Sequence, residues 1–262
     1  MNPFDLTGRV ALVTGGYGVL GGSLADGLAA AGARIAILGR RSDAAKEKAA
    51  SLRSAGAEAI ALVADVLDET QLRAAAEELI GAWGSVDILV NAAGGNVQRA
   101  RSDTTPVFDV PMDAFDEVLR LNLHGSVVPT MVFGEIMGRQ RRGSIVNISS
   151  MAAQQALSGV LGYSIAKSGI DNLTRWMAVE MARKFGDGVR VNAIAPGWFV
   201  TDINRGYLTG AGASLVRDIP VGRFGQDGDL DGALLLLVSD AGAYMAGTTV
   251  VVDGGQMVAL RG

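Results

Sequence analysis

Apolar residues in this chain gather in short continuous runs, and between the runs they return every three or four positions. Runs of four to eight bounded by turn residues are the pattern of strands buried on both faces, and the 3.6-residue period is that of helices packed on a sheet. The runs predict strands over 9–13, 34–38, 59–63, 87–90, 143–149, 189–194 and 248–252. The periodic segments predict helices over 22–31, 42–55, a stretch after Asp68, 113–138 with Asp113 as its cap, 163–184, and 226–239. Strand and helix alternate, so the expected fold class is α/β: a doubly wound, mainly parallel seven-stranded sheet with helices on both faces, in a single domain over residues 1–262.

Composition changes this picture only in places. The 36 glycines fall between the periodic segments, which suggests tight turns and close backbone approaches rather than disorder. Cysteine is absent, so disulfides and thiolate chemistry are excluded, and a cytoplasmic location is expected. The single histidine, His124, cannot build a multi-histidine metal site, and no metal is expected. With a net charge of −4, scattered basic residues and no apolar run near the length of a membrane span, neither nucleic acid nor membrane is an expected partner.

Two stretches carry chemistry. Strand 9–13 runs into Gly15-Gly16-Tyr17-Gly18-Val19-Leu20-Gly21 and then a helix, the context in which a glycine turn lets backbone N–H groups approach a dinucleotide pyrophosphate. The second strand ends in Gly39-Arg40-Arg41, where an acid would hold the ribose hydroxyls of NAD and an arginine would meet a 2′-phosphate, so NADP is favoured over NAD through Arg40. Further on, Tyr163 and Lys167 stand four apart at the head of a helical segment and share one face. An ammonium beside a phenol in a dry cleft is expected to lower the phenol's pKa, making Tyr163 a proton donor in carbonyl reduction and a base in alcohol oxidation. Ser150, on the loop after the fifth strand, would hydrogen-bond the same oxygen. Asn122 inside a helix is locally unfavourable and points to a held water or a backbone kink.

Together Asn122, Ser150, Tyr163, Lys167 and the glycine turn resemble the short-chain dehydrogenase/reductase family over nearly the whole chain, about 10–255. The usual family turn has glycine where this chain has Val19. The resemblance implies a Rossmann-like fold and an NAD(P)-dependent exchange of hydride with a carbonyl or secondary alcohol. It implies that Gly15, Tyr17, Gly18, Leu20 and Gly21 hold the cofactor's phosphates, Asp65 and Val66 its adenine, and Asn91, Ala93 and Gly94 its nicotinamide side. Pro196, Gly197, Phe199 and Thr201 would hold the carboxamide, although Thr201-Asp202 would equally cap the next helix. Tyr163 and Lys167 would serve both catalysis and the nicotinamide ribose, and Asn122 a proton relay.

Within the family, the stretches 91–96, 174–180, 198–205 and 220–225 resemble a branch of D-mannonate oxidoreductases, fructuronate reductases and gluconate dehydrogenases. A sugar acid or polyol is then the expected substrate. Asn96, Gln154, Trp198, Asn204 and Arg205 would contact it, with Arg205 carried one turn beyond Thr201 on a helix starting at 202. Segment 202–224 would be a substrate lid. A 3-oxoacyl-carrier-protein reductase is the alternative within the family, and a non-catalytic cofactor-sensing protein the alternative outside its chemistry. The resemblance further implies a homotetramer formed through helices 113–138 and 163–184.

Overall fold

Each of the first two apolar runs feeds both faces of a sheet. In β1 (Val10–Thr14), Ala11 and Val13 enter one core while Val10 and Leu12 enter the other, and in β2 (Arg34–Gly39) Ile35 and Ile37 oppose Ala36 and Leu38 in the same way. The period of two, buried on both sides, is what makes the runs read as continuous. The computed structural model describes residues 2–103, 105–202 and 204–259. Its remaining strands are β3 (Ala59–Val63), β4 (Ile88–Asn91), β5 (Gly143–Ile148), β6 (Val189–Pro196) and β7 (Thr249–Val252). All seven pair in parallel in the order β3-β2-β1-β4-β5-β6-β7. The order reverses between β1 and β4, and the crevice at the carboxyl ends of those strands is where ligands bind in such sheets.

Helices cover both faces. On one lie α1 (Val19–Ala30), α2 (Ser42–Ser54) and α8 (Asp231–Val238), which bury Leu24, Leu28, Leu52, Leu234 and Leu237. On the other lie α3 (Glu69–Trp83), α5 (Gly125–Gln140) and α6 (Leu161–Phe185), which bury Leu72, Leu79, Phe133, Met137, Met177 and Met181. Burying each such side chain is worth about 1.5–3 kcal/mol. Asp68 caps α3 by accepting from the Gln71 backbone N–H at 3.0 Å. Among the described residues, no helix is long and apolar enough to cross a membrane.

Four helix expectations need correction. The segment 113–138 is not one α-helix: α4 (Met112–Leu119) passes into a π turn at Arg120–His124 before α5. The Asn122 amide donates to the Val118 carbonyl at 2.9 Å, and the Ser126 hydroxyl donates to the Asn122 carbonyl at 3.1 Å. Side chains therefore compete for acceptors of the backbone ladder, which widens the turn. Nor does Asp113 cap the helix, because Pro111 holds the cap position and the Asp113 carboxylate accepts from Arg99 at 2.9 Å. Of 226–239 only Asp231–Val238 is α-helical, since the Asp229 carboxylate takes the Gln226 N–H at 2.9 Å and closes a separate turn. Likewise α7 (Arg205–Leu208) starts three residues later than expected, behind a turn in which the Asn204 side-chain Oδ1 accepts from Thr201 N–H at 2.7 Å.

Glycine positions give a paired test. A Cβ on Gly21 would fall 2.4 Å from the Gly15 carbonyl oxygen, whereas one on Gly81, exposed in α3, meets nothing within 4 Å. Gly21→Ala should cost about 1–3 kcal/mol and lower the melting temperature by at least about 3 °C. Gly81→Ala should gain about 0.5–1 kcal/mol through the unfolded chain. Thermal denaturation measures both, and equal responses would contradict the tight turn.

Candidate active site

The floor of the crevice is a contact between two backbones. Gly15 has φ +63°, and a Cβ there would lie 2.9 Å from Ala93 Cα. The Thr14 hydroxyl oxygen accepts from the N–H groups of Ala92 and Ala93 at 3.1 and 3.2 Å, tying the end of β4 to that of β1. Gly18 precedes α1 in extended conformation, and neither a capping side chain nor an acidic residue occupies the start of that helix. Val19 begins α1, and Leu20 packs against the core. The departure at Val19 is accommodated because Gly15, not position 19, takes the left-handed conformation. Uncapped N–H groups beside glycine backbone form a cradle that suits a diphosphate.

Beside this cradle, the Tyr17 ring lies against Gly39, where a Cβ would come 2.3 Å from the ring. The Tyr17 hydroxyl accepts from the Arg41 N–H at 3.3 Å, and the Arg41 guanidinium stacks 4.7 Å over the ring centroid. Arg40 is exposed, with its guanidinium 3.7 Å from the Asp65 carboxylate. Asp65 also accepts from the Leu67 N–H at 3.0 Å, and Val66 is buried. Arg41 was not singled out by sequence reasoning. Its stacking partner lies 24 residues away, so no local pattern signals it.

Asn91 is buried at the end of β4 and donates to Thr130 at 2.9 Å and Asn147 at 2.8 Å. Asn122, fully buried in its π turn, holds the loop after β4: its amide nitrogen donates to the Gly95 carbonyl at 2.7 Å and its oxygen accepts from the Gly95 N–H at 3.1 Å. A Cβ on Gly94 would lie 2.8 Å from that oxygen and 3.7 Å from Lys167 Nζ. The expected kink is present, and the Asn122 side chain and Lys167 Nζ both border Gly94.

Tyr163 and Lys167 occupy successive turns at the start of α6, with Lys167 Nζ 5.4 Å from the Tyr163 ring centroid. Lys167 is 5% exposed and donates to the Ile148 carbonyl, at the end of β5, at 2.8 Å. Ser150 begins the next short turn and accepts from the Ala152 N–H at 3.1 Å. Burial pushes the Tyr163 phenol above its ordinary pKa, and a polar contact with Ser150 draws it partly back. The direction is opposite to the expected lowering, because burial outweighs the hydrogen bond from Ser150. Burial also lowers Lys167 to about 8, against an opposing pull from Asp171.

The residues proposed for the substrate do not all converge. Pro196 ends β6, and Gly197 donates to Val252 at 3.0 Å with no room for a Cβ beside Asp253. Phe199 is buried and bridges to Gly225, and Thr201 accepts from the Arg205 N–H at 2.8 Å. The Trp198 indole N–H is buried without a hydrogen-bond partner among the described residues, and its ring lies 6.4 Å from Tyr207. Asn204 uses both ends of its amide on the 199–204 turn, donating to Phe199 and accepting from Thr201. Asn96 accepts from its neighbour's N–H, and Gln154 turns to Asp171 at 3.4 Å. Arg205 is largely exposed, 3.9 Å from Asp202. A better-shielded cation is Arg101, which pairs with Asp103 and stacks 5.9 Å over Tyr207.

This arrangement has counterparts. The family described as enoyl-(acyl carrier protein) reductase matches residues 18–257. An uncharacterized oxidoreductase of Bacillus subtilis (strain 168), UxuB, is 37% identical, over 97% of this chain and 96% of its own. A 3-oxoacyl-acyl-carrier-protein reductase of Synechocystis is 33% identical, over 97% and 98%. The structure of a gluconate 5-dehydrogenase from Burkholderia cenocepacia in complex with NADP and tartrate superposes with a TM-score of 0.91 at 35% identity, covering 99% of each chain. A Haemophilus influenza protein named for D-mannonate oxidoreduction, with bound NAD, gives 0.90 at 34%, over 98% of this chain and 97% of its own.

Lys167 makes a pH-dependent stability test. Its folded pKa of about 8 lies below the ordinary 10.5, so the unfolded chain binds the extra proton between those values. The destabilisation is fully present below pH 8 and fades as pH rises toward 10.5. The stability of Lys167→Met relative to the unmodified protein should therefore fall by about 2 kcal/mol from roughly pH 7 to roughly pH 9.5. Denaturant titrations at both values test this, and a constant difference would mean that Lys167 titrates normally.

Proposed function

This chain is a member of the short-chain dehydrogenase/reductase family, and from that premise we propose that it moves hydride between a nicotinamide dinucleotide and a carbonyl or secondary alcohol of a sugar acid or polyol. The carrying observation is the meeting of half-buried Tyr163 with buried Lys167 and Ser150. The cofactor supplies the hydride chemistry when bound, and the glycine cradle with the basic edge at Arg40 and Arg41 suits its phosphates. Tyr163 donates the proton to the substrate oxygen in reduction and accepts it in oxidation. Ser150 donates a hydrogen bond to the same oxygen, and Lys167 places positive charge beside the phenol as its proton leaves. Asn122 holds Gly94 and Gly95 against this group.

For the substrate, the sugar-acid reading draws on the tartrate held by the gluconate 5-dehydrogenase and on the protein named for D-mannonate. Trp198, Tyr207 and Arg101 form an aromatic and cationic wall from segments 95–111 and 196–224, and the latter includes the lid. A carboxylate would pair with Arg101 or Arg205, each of which must exchange an aspartate for it. The Synechocystis relative favours a second reading, reduction of a 3-oxoacyl thioester. Exposed Leu161, Ile165, Trp176 and Val179 on α6 and Met131 on α5 support assembly as a homotetramer. A screen of sugar acids, polyols and a 3-oxoacyl thioester with both cofactors separates the readings.

Tyr163→Phe keeps the ring's packing and removes the acid, so turnover should fall at least about a hundredfold with cofactor affinity nearly intact. Retained turnover would sink the mechanism. NADP is the favoured cofactor: Arg40→Ser should weaken its binding by roughly ten- to a hundredfold, as loss of about 1.5–3 kcal/mol requires, and barely alter NAD. Equal affinities for NAD and NADP in the unmodified protein, read by fluorescence titration, would count against the preference. Arg40 is the residue to test because Gly39→Asp would first have to displace the Tyr17 ring.

A further inference from the structure

Among the buried carboxylates outside the catalytic scheme, one adjoins it. Asp171 stands one helical turn beyond Lys167 on α6, and both residues are 5% exposed. Residues four apart share a helix face, so the carboxylate backs the lysine on the side opposite Tyr163 in sequence. Its own hydrogen bonds are long and neutral: one oxygen accepts from Gln154 at 3.4 Å and the other from the Thr249 hydroxyl at 3.4 Å. A buried carboxylate held only by such partners is costly unless a cation answers it.

Two cations qualify, Lys167 one turn before and Arg175 one turn after. Arg175 is exposed and shares with Asp171, Gln154 and Thr249 the wall of a cavity of about 380 Å³. The countercharge shielded from water is Lys167. The groups facing Lys167 from other elements are neutral: Asn122 from the π turn, Gly94 from the loop after β4, and the Ile148 carbonyl from β5. On α6 itself the titratable neighbours are Tyr163 and Asp171.

We propose that Asp171 is a positioning residue for hydride transfer, whose buried charge keeps Lys167 an ammonium where Tyr163 needs one. The proposal rests on the roles given above to Tyr163 and Lys167. The direction of the lysine's shift agrees, since burial lowers it and Asp171 pulls it back up. Without the carboxylate, Lys167 would lose its charge closer to neutral pH and fail Tyr163 over the working range.

The chain has four lysines, so a carbon-13 label at lysine Cε gives a spectrum in which Lys167 is identified by its loss in Lys167→Met. In full-length Asp171→Asn, which keeps the shape and hydrogen-bonding reach, the Lys167 midpoint should fall by at least about one pH unit. Asp171→Glu should restore it. The alkaline limb of kcat/KM should move down by the same interval, with activity at low pH within about threefold of the unmodified enzyme. An unmoved Lys167 midpoint overturns the proposal even where activity drops, because that is the signature of a packing role. If the midpoint moves but Tyr163→Phe remains fully active, the Asp171–Lys167 link stands and the functional reading falls instead. Should the asparagine variant not fold, Asp171→Ser is read in the same way.

Discussion

A positive charge held almost out of water is the constraint on which this site depends. Lys167 is 5% exposed, and an ammonium there is tolerable only where acceptors and opposite charge are arranged around it. The fold supplies them from separate elements. Strand β5 ends so that the Ile148 carbonyl meets Nζ at 2.8 Å, and α6 places Asp171 one turn behind. The π turn aims Asn122 at the loop beside it. Shifting any one element by a residue would leave the charge unanswered, so the lysine constrains the register of β5 against α6 as much as it serves chemistry.

The second constraint is contact between backbones. Gly15 against Ala93 leaves no room for a Cβ, and Thr14 bonds the two N–H groups that follow β4. This closes the switch point between β1 and β4 into a floor with few side chains, so a flat, anionic ligand can approach main-chain dipoles directly. The same logic explains why Val19 is tolerated. The left-handed residue is the one against Ala93, and the helix begins where the valine stands.

Much of this was legible in the residues. Continuous apolar runs revealed strands buried on both faces, because alternation vanishes when both sides are core. Tyr163 and Lys167 were legible because fixed spacing on one helix is local information. What escaped depends on partners far along the chain. The break at Asn122 comes from side chains competing for ladder carbonyls, and an amphipathic pattern continues across it unchanged. Asn204 looks like a substrate contact until both ends of its amide are found holding its own turn. Gln154 likewise turns to Asp171, 17 residues away. The upward shift of the Tyr163 phenol was not legible because spacing reports proximity, and desolvation depends on everything else that surrounds the ring.

Cofactor choice shows how two such effects meet. Glycine at position 39 reads from sequence as the absence of an acid. In the structure it is also a steric requirement, because the Tyr17 ring fills the space a side chain would need. That ring is held by the Arg41 guanidinium over its face and the Arg41 N–H at its hydroxyl, so acid is excluded and cation retained by one stack. Arg40, exposed beside Asp65, is then free to turn toward a phosphate at the cost of a weak, screened pair. The packing of Tyr17 thus keeps an acid away from this edge of the crevice, and Arg40 and Arg41 make it basic.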